Sequence, residues 1–347
     1  MGTMGGMAAG RGPSAAGRAL GIARKITDEV LFPAAMAVDA ADRIPRAHLD
    51  ELAAAGLYGL VGPAAAAGLE ASPATVNDVT EMLASGCLAT TFVWLQHHRA
   101  VRAAAAAPDE AVRKSWLEPL CRGDRRAGLA LGGALPGAPA LRARPVAGGY
   151  VLDGMSPWVT GWGMIDTLYA VARSARGDLV TALLAADEGP TLAAERLRLV
   201  AVNASGTVQL RFDGHFVAAD RVVDVISYAD WVARDARGLR ANGSLSLGVG
   251  ARCCALAGRS ALDGELSRRR AELDAAGADA MPAARAAASQ FALQAASALV
   301  AGTGSRAILA GEHPQRLARE ALFLLVFGSR PAIKQHLTQL LTAPRQP

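Results

Sequence analysis

Three histidines and two aspartates are the candidates for acid–base chemistry in this sequence. His97 and His98 are adjacent on a predicted helix, so at most one of them can face a cleft. His336 stands near the C-terminus, and Asp230 and Asp235 precede a long helical pattern. Each histidine is either a packing or surface residue or a proton-transfer group, and each aspartate is either a helix cap or a base.

Other catalytic and metal-binding motifs do not occur in the sequence. The cysteines are too few and too irregularly spaced for a disulfide framework, and adjacent Cys253 and Cys254 lack CxxC geometry. There is no P-loop, no Gly-x-Ser-x-Gly elbow and no metal-ligand pair at helical spacing. We therefore expect no metal site and a protein of the reducing cytoplasm.

The composition predicts a globular protein. Of 347 residues, 52% are hydrophobic and 19% are charged, which excludes global disorder. The net charge of +5 is not gathered into a basic stripe, so no nucleic-acid partner is indicated. The first 19 residues lack the apolar region of a signal peptide, and no run approaches the ~18 apolar residues of a membrane span.

The residue pattern changes twice along the chain, from helical to β-rich and back, and these changes divide the chain into blocks. Residues 1–20 are predicted to be a flexible leader, and helical patterns with proline near the start and glycine near the end follow to about residue 125. Short β-rich runs separated by Gly, Pro, Asp and Asn then occupy residues 126–222. Helical patterns return over residues 223–347, including helices at about 315–326 and 330–342.

The order of these blocks predicts an α+β fold. An N-terminal helical domain (21–125), a central antiparallel β-barrel (126–222) and a C-terminal helical bundle (223–347) would leave a cleft where the three parts meet.

This plan and several strings resemble the acyl-CoA dehydrogenase superfamily over about residues 25 to 343. The run GYVLDGMSPWVTGWGMIDTLYAVARS is similar to that family's strand, glycine and x-W-[IV]-T pattern. LAAAGLYGLVGP, TVQLRFDGHFVAADRVV and EHPQRLAREALFLLVFGSRPAIKQ resemble the family's first helix and turn, last barrel strand and C-terminal helices.

The resemblance implies a flavin, FAD in most of the family, carried on the β domain. Trp158 would pack beside the isoalloxazine ring, and Thr160 would offer its hydroxyl or backbone to the polar edge of the ring. FMN or a reduced flavin is the alternative cofactor. Either Trp158 lies against the flavin or it plugs the barrel.

Two further flavin contacts are implied by position. Where the family carries a Leu-Thr-Glu-Pro string, this chain has Leu131-Gly132-Gly133, whose glycine amides either approach the flavin or form a simple turn. Where the family has a glutamine that contacts the flavin of a neighbouring subunit, this chain has Ala298, and Gln294, one helical turn earlier, is the candidate for that contact.

The family's usual base, a glutamate before a glycine near the C-terminus, is missing. Phe327 precedes Gly328 here, and no Asp or Glu occurs from Ala321 to Pro347. Some members carry the base near the start of the first C-terminal helix, around Gly238, which makes Asp235 the candidate.

Three functions follow from the resemblance. The first is FAD-dependent α,β-desaturation of an acyl thioester, as in fatty acid metabolism. The protein would carry out this reaction either by itself or as one subunit of a hetero-oligomer. The second is a two-component flavin monooxygenase, for which His97 or His336 would serve in catalysis. The third is a catalytically silent structural subunit.

The resemblance also implies partners. These are an acyl thioester substrate, an electron acceptor such as an electron-transfer flavoprotein, and further subunits in a homo- or hetero-oligomeric dimer or tetramer. Apolar rows such as Leu322 to Phe327 suit subunit packing.

Overall fold

The computed structural model describes residues 15–236 and 238–343. Residues 1–14 of the predicted leader lie outside the described residues, whereas the remainder of that leader forms the first turns of α1. The reason is local: Ala19, Ala23 and Ile26 recur at helical spacing, and all three are buried against the helical core.

From residue 15 onward, where the description of the chain begins, six α-helices precede the sheet. They are α1 (Ala15–Ile26), α2 (Phe32–Ala40), α3 (Arg46–Ala54), α4 (Pro73–Gly86), α5 (Leu88–Ala106) and α6 (Glu110–Arg122). The starts of α4 and α6 follow from capping, because the Ser72 hydroxyl accepts from Thr75 N–H at 3.2 Å and the Asp109 carboxylate accepts from Ala111 N–H at 2.8 Å.

A π-helical turn, Thr27–Leu31, joins α1 to α2 without a break. It packs closely on α4, because a Cβ placed on Gly86 would lie 2.9 Å from the Cβ of Leu31. The Thr27 hydroxyl donates to the carbonyl of Met82 at 3.1 Å. The turn thus lies in the interface between two helices.

Within the described residues, eight strands form the central sheet. They are β1 (Ala127–Ala130), β2 (Leu141–Val146), β3 (Gly149–Val159), β4 (Thr167–Ser174), β5 (Leu179–Ala185), β6 (Leu192–Arg196), β7 (Val208–Ala218) and β8 (Val222–Ile226). Their order is β6-β7-β3-β2-β4-β5-β8, and β1 also pairs with β4. The predicted sheet domain is therefore present, with its last strand running four residues beyond 222.

The prediction of a closed antiparallel barrel is wrong. Among the described residues, the end strands β6 and β8 are not paired with each other, so the sheet is open. It is also mixed, because β1 and β2 both run parallel to β4. The α+β class and the order of helices, sheet and helices are confirmed.

The parallel pairs explain how a loop leaves the sheet. Ala130 pairs with Ala170, and the next pair along β4 is Arg142 with Arg173. Between these two pairs, β4 advances by only three residues, from Ala170 to Arg173. The neighbouring chain leaves the sheet after Ala130, passes through residues 131–140 and returns to the sheet as β2. We call this segment the excursion loop.

Six helices follow the sheet: α7 (Tyr228–Ala236), α8 (Leu239–Ala257), α9 (Ala261–Ala275), α10 (Met281–Thr303), α11 (His313–Val326) and α12 (Pro331–Thr342). The last two lie where the sequence predicts them. Helix α8 crosses α4 in close contact at Gly248, where a Cβ would lie 2.4 Å from the carbonyl oxygen of Glu81.

The outer surface of α11 is apolar, as the sequence predicts. Leu322 is 50% exposed and Val326 is 70% exposed. Association of subunits through this surface stays a prediction. Within the described parts of the chain, every helix is too short or too polar to cross a membrane.

We expect Gly248→Ala to destabilise the protein by about 1–3 kcal/mol, because the methyl group forces α4 and α8 apart. Gly264→Ala on exposed α9 is the matched control: nothing lies within 4 Å of its added methyl group, and alanine gains about 0.5–1 kcal/mol of helix propensity. Thermal unfolding measures both. Equal melting temperatures for the two variants would contradict the close crossing.

Candidate functional site

The excursion loop begins with a tight turn that only glycine permits. A Cβ at Gly132 would lie 2.2 Å from the carbonyl oxygen of Met155 on β3, and a Cβ at Gly133 would lie 2.5 Å from the Cα of Ala172 on β4. The amide of Gly132 donates to the Ser156 hydroxyl at 3.1 Å. Packing therefore accounts for both glycines, and the Gly132 amide already has a partner. A direct flavin contact from these residues stays a prediction.

Arg173 at the end of β4 holds the excursion loop in place. Its guanidinium donates to the carbonyls of Gly133 at 2.8 Å, Leu135 at 2.8 Å and Gly137 at 3.0 Å. It also lies 4.2 Å from the ring centroid of Tyr228, the first residue of α7. No sequence motif marks Arg173, and sequence reasoning missed it.

Trp158 lies in a β-bulge two residues beyond the contact between the loop and β3. Ser156 pairs with Leu210 and Val159 pairs with Val208, so Pro157 and Trp158 together oppose one residue of β7. The backbone of Trp158 has φ +60°, which is a strained conformation for a bulky side chain. The indole is 66% exposed.

An exposed indole held by a strained backbone fits a flat aromatic ligand. Such strain costs of order 1–3 kcal/mol and concentrates at functional sites. The indole is not sealed inside the sheet, so its face is available for stacking. The residues around Trp158 therefore fit the isoalloxazine ring of a flavin.

Thr160 lies next to this platform but its side chain faces inward. The residue is buried, and its hydroxyl lies 3.2 Å from that of Thr207, which lies 2.8 Å from that of Ser205. The Thr160 hydroxyl is thus part of a buried row of three hydroxyl groups. Of the two roles implied for Thr160, the backbone role is the one compatible with this geometry.

A cavity of about 230 Å³ is lined in part by the excursion loop, and we call it the loop cavity. Its wall is apolar and aromatic apart from two charged residues, Asp235 and Arg330. The remaining lining residues are Leu131, Ala134, Leu135, Pro136, Tyr228, Trp231, Val232, Ala236, Leu239 and Pro331. The structure thus brings together two of the predicted residues, Leu131 and Asp235.

Asp235 is bound by two arginines. Arg99 of α5 donates to one carboxylate oxygen at 2.6 Å, and Nε of Arg330 donates to the other at 2.9 Å. Burial alone would raise the pKa of Asp235, but the charges and hydrogen bonds of the two arginines outweigh it and hold the pKa below its ordinary value. A carboxylate held in this way is a weak base. Its catalytic role stays a prediction.

Phe327, at the position that the resemblance assigns to the family's usual base, belongs to an aromatic cluster. It meets Phe92 edge to face at 4.9 Å between ring centroids and stacks on Phe323 at 5.6 Å. The cluster contributes no acidic group. Among the described residues that line the loop cavity, Asp235 is the one carboxylate.

The paired histidines of α5 are buried. Nε2 of His97 lies 3.0 Å from the carbonyl oxygen of Leu120, and Nδ1 accepts from the amide of Ala127 at 3.1 Å, which fixes a neutral ring. Nε2 of His98 lies 3.1 Å from the carbonyl oxygen of Leu57. This geometry gives His97 the packing role, because it ties α5 to α6 and β1.

Two further predicted residues lie elsewhere. His336 lines a groove of about 710 Å³ between α9, α10 and α12, whose wall is largely alanine. Gln294 is on the exposed side of α10, which packs mainly on other C-terminal helices. Within one chain the structure does not bring either residue to Trp158. The described residues contain no group of three or more metal-ligating side chains.

Comparison with known proteins identifies the N-terminal domain. Residues 20–124 match the family described as acyl-CoA dehydrogenase, N-terminal domain. Benzylmalonyl-CoA dehydrogenase of Aromatoleum aromaticum (strain DSM 19018 / LMG 30748 / EbN1) is 26% identical over 199 residues, which are 56% of this chain. The match spans about half the length of that relative, 53%.

Solved structures share the whole fold. Butyryl-CoA dehydrogenase from Megasphaera elsdenii aligns with a TM-score of 0.78 at 16% identity, over 96% of this chain and 100% of that one. Glutaryl-CoA dehydrogenase from Mycobacterium smegmatis in complex with FADH2 aligns with a TM-score of 0.80 at 16% identity, over 94% of each chain. These likenesses confirm the predicted fold.

The buried histidines predict how stability depends on pH. Burial, and then the charge of Arg102, lowers the pKa of His98 to about 4, and burial lowers the pKa of His97 as well. The unfolded chain binds protons below pH ~6.5, so stability is full above that pH and falls as the pH drops toward 4. His98 accounts for roughly 3 kcal/mol of this loss. Urea unfolding at several pH values in this range should show that the free energy of unfolding falls less steeply with decreasing pH in His98→Gln than in the unaltered protein. An equally steep fall in both proteins would contradict the assignment to His98.

Arg173→Met should loosen the excursion loop. Loss of three hydrogen bonds from a charged group predicts about 1–3 kcal/mol of destabilisation and faster hydrogen exchange in residues 131–137. Arg142→Met, at the exposed paired position on β2, is the control and should change stability by less than about 0.5 kcal/mol. Exchange that rises equally in both variants would exclude this role for Arg173.

Proposed function

We propose that this chain is a flavin-dependent oxidoreductase that acts on an acyl thioester, because its N-terminal domain matches the acyl-CoA dehydrogenase family and its fold is shared with acyl-CoA dehydrogenases of known structure. The observation that carries this proposal is the strained, exposed Trp158 beside the excursion loop. The relatives are named for acyl-CoA substrates, and one related structure contains FADH2. FAD is accordingly the cofactor that we propose.

The reaction that we propose is α,β-desaturation. When bound, FAD would supply an acceptor for the hydride that leaves the β carbon. Trp158 would support the flat ring, and the excursion loop, which contacts β3 at Ser156 and lines the loop cavity, would bring the acyl group in the cavity against the ring. The apolar side chains of Trp231 and Leu131 would exclude water from the acyl group.

Asp235 is the residue that we propose to take up the α proton, on a carboxylate oxygen. It is the one acid among the described residues lining the cavity, but two arginines compete for its oxygens. We therefore expect slow proton transfer unless a neighbouring subunit supplies a stronger base. The monooxygenase alternative receives no support from the histidines, because His97 is committed to packing and His336 lies in a different groove.

Purification and spectroscopy test the cofactor. We expect a yellow protein whose FAD content falls at least severalfold in Trp158→Ala, because the ring loses its stacking partner. Phe216→Ala is the matched control: Phe216 is 53% exposed on β7, outside the proposed site, and its removal should leave flavin content unchanged. Both variants should retain the melting temperature of the apoprotein within a few degrees, since both side chains are exposed.

Anaerobic titration tests the reaction. Bleaching of the flavin absorbance on addition of acyl-CoA would support desaturation. A yellow protein that no acyl-CoA bleaches would favour another flavin reaction, and a colourless protein that copurifies with a homologous chain would favour the structural subunit.

A further inference from the structure

Two arginines share a single carboxylate at the wall of the loop cavity. Arg330 lines the cavity directly, and Arg99 reaches Asp235 from α5 behind the indole of Trp231, with its guanidinium 5.6 Å from the ring centroid. Arg234, beside Asp235, is balanced separately by Asp224. The pair of arginines therefore leaves one positive charge uncompensated.

Donor groups also remain available in this cluster. Asp235 accepts hydrogen bonds from one terminal nitrogen of Arg99 and from Nε and one terminal nitrogen of Arg330. The side chains of Arg99 and Arg330 are only 28% and 36% exposed, so an anion placed there would be partly shielded from water. Hydrogen bonds from arginine to a carboxylate are strongest in such surroundings.

The rest of the loop cavity is apolar and small. Its volume of about 230 Å³ lies below the ~300–1,000 Å³ of sites for drug-sized ligands. It therefore suits a short acyl group better than a long chain. An apolar cavity with one surplus positive charge on its wall matches a short carbon chain that ends in an anion.

We propose that the loop cavity selects short acyl thioesters whose acyl group carries a carboxylate, and that Arg330, supported by Arg99, binds that carboxylate. This inference rests on the proposed function for the thioester but not on the reaction that follows. Arg330 acts here as a specificity-determining residue.

The test compares glutaryl-CoA with valeryl-CoA, which have acyl chains of equal length and differ in the terminal carboxylate. Isothermal titration calorimetry under anaerobic conditions, on flavin-loaded protein whose flavin has first been reduced with dithionite, measures both dissociation constants without oxidation of the acyl group, because a reduced flavin cannot accept a hydride. We expect glutaryl-CoA to bind roughly ten- to a hundredfold more tightly. Since the nucleotide part of both ligands is the same, the ratio isolates the carboxylate.

Two variants with opposite expected effects separate substrate recognition from a purely structural ion pair. Arg330→Gln should bring the ratio of the two dissociation constants close to one. Asp235→Asn removes the competing carboxylate and should increase the ratio, because both arginines are released. Arg142→Gln, which removes an exposed arginine from β2, should leave the ratio unchanged.

The outcomes distinguish this inference from the proposed function. Tight binding that depends on the carboxylate, combined with no bleaching of the oxidised flavin in the anaerobic titration, would overturn the proposed desaturation and would support the inference. Three results would overturn the inference. The first is equal binding of the two thioesters, and the second is binding of neither. The third is a ratio of dissociation constants that moves in the same direction in Arg330→Gln and Asp235→Asn.

Discussion

The close packing of the excursion loop on β3 and β4 is the constraint on which the rest of the site depends. Glycine at 132 and 133 allows backbone to approach backbone where any side chain would collide. The loop then contacts the strand that carries Trp158, and four of its residues line the loop cavity. The loop thus links the exposed indole of Trp158 to the loop cavity, and the hydrogen bonds of Arg173 hold the loop in place.

Charge is distributed unevenly around this site. The platform beside β3 carries an exposed indole, whereas the far wall of the cavity carries Asp235 between two arginines. The arginines keep the carboxylate ionised, and in doing so they weaken it as a base. The same acid is therefore ionised and poorly basic, and Phe327, at the position that the resemblance assigns to a base, supplies no acid in its place.

Local patterns were sufficient for the helices, but pairing across the chain was not predictable. Helical periodicity and proline signals located α11 and α12 to within a few residues. The x-W-[IV]-T string singled out Trp158, whose indole is exposed and whose role as a flavin contact stays a prediction. Closure of the sheet was predicted wrongly, because alternation along one strand does not encode the partners of edge strands. The arginines of Asp235 lie 136 and 95 residues away in sequence, so no window could have joined them.

The π-helical turn at Thr27–Leu31 has a consequence for how the first two helices face the core. Thr27 and Leu31, at the two ends of the turn, are fully buried, and the buried residues Ala35 and Val38 continue the same side of the helix beyond it. The widened turn absorbs one extra residue and so keeps the buried side of α1 in phase with that of α2. If the same residues adopted regular α-helical geometry, α2 would be rotated by about 100° relative to α1. Ala35 and Val38 would then leave the core, so the irregular turn lets both helices bury one continuous side.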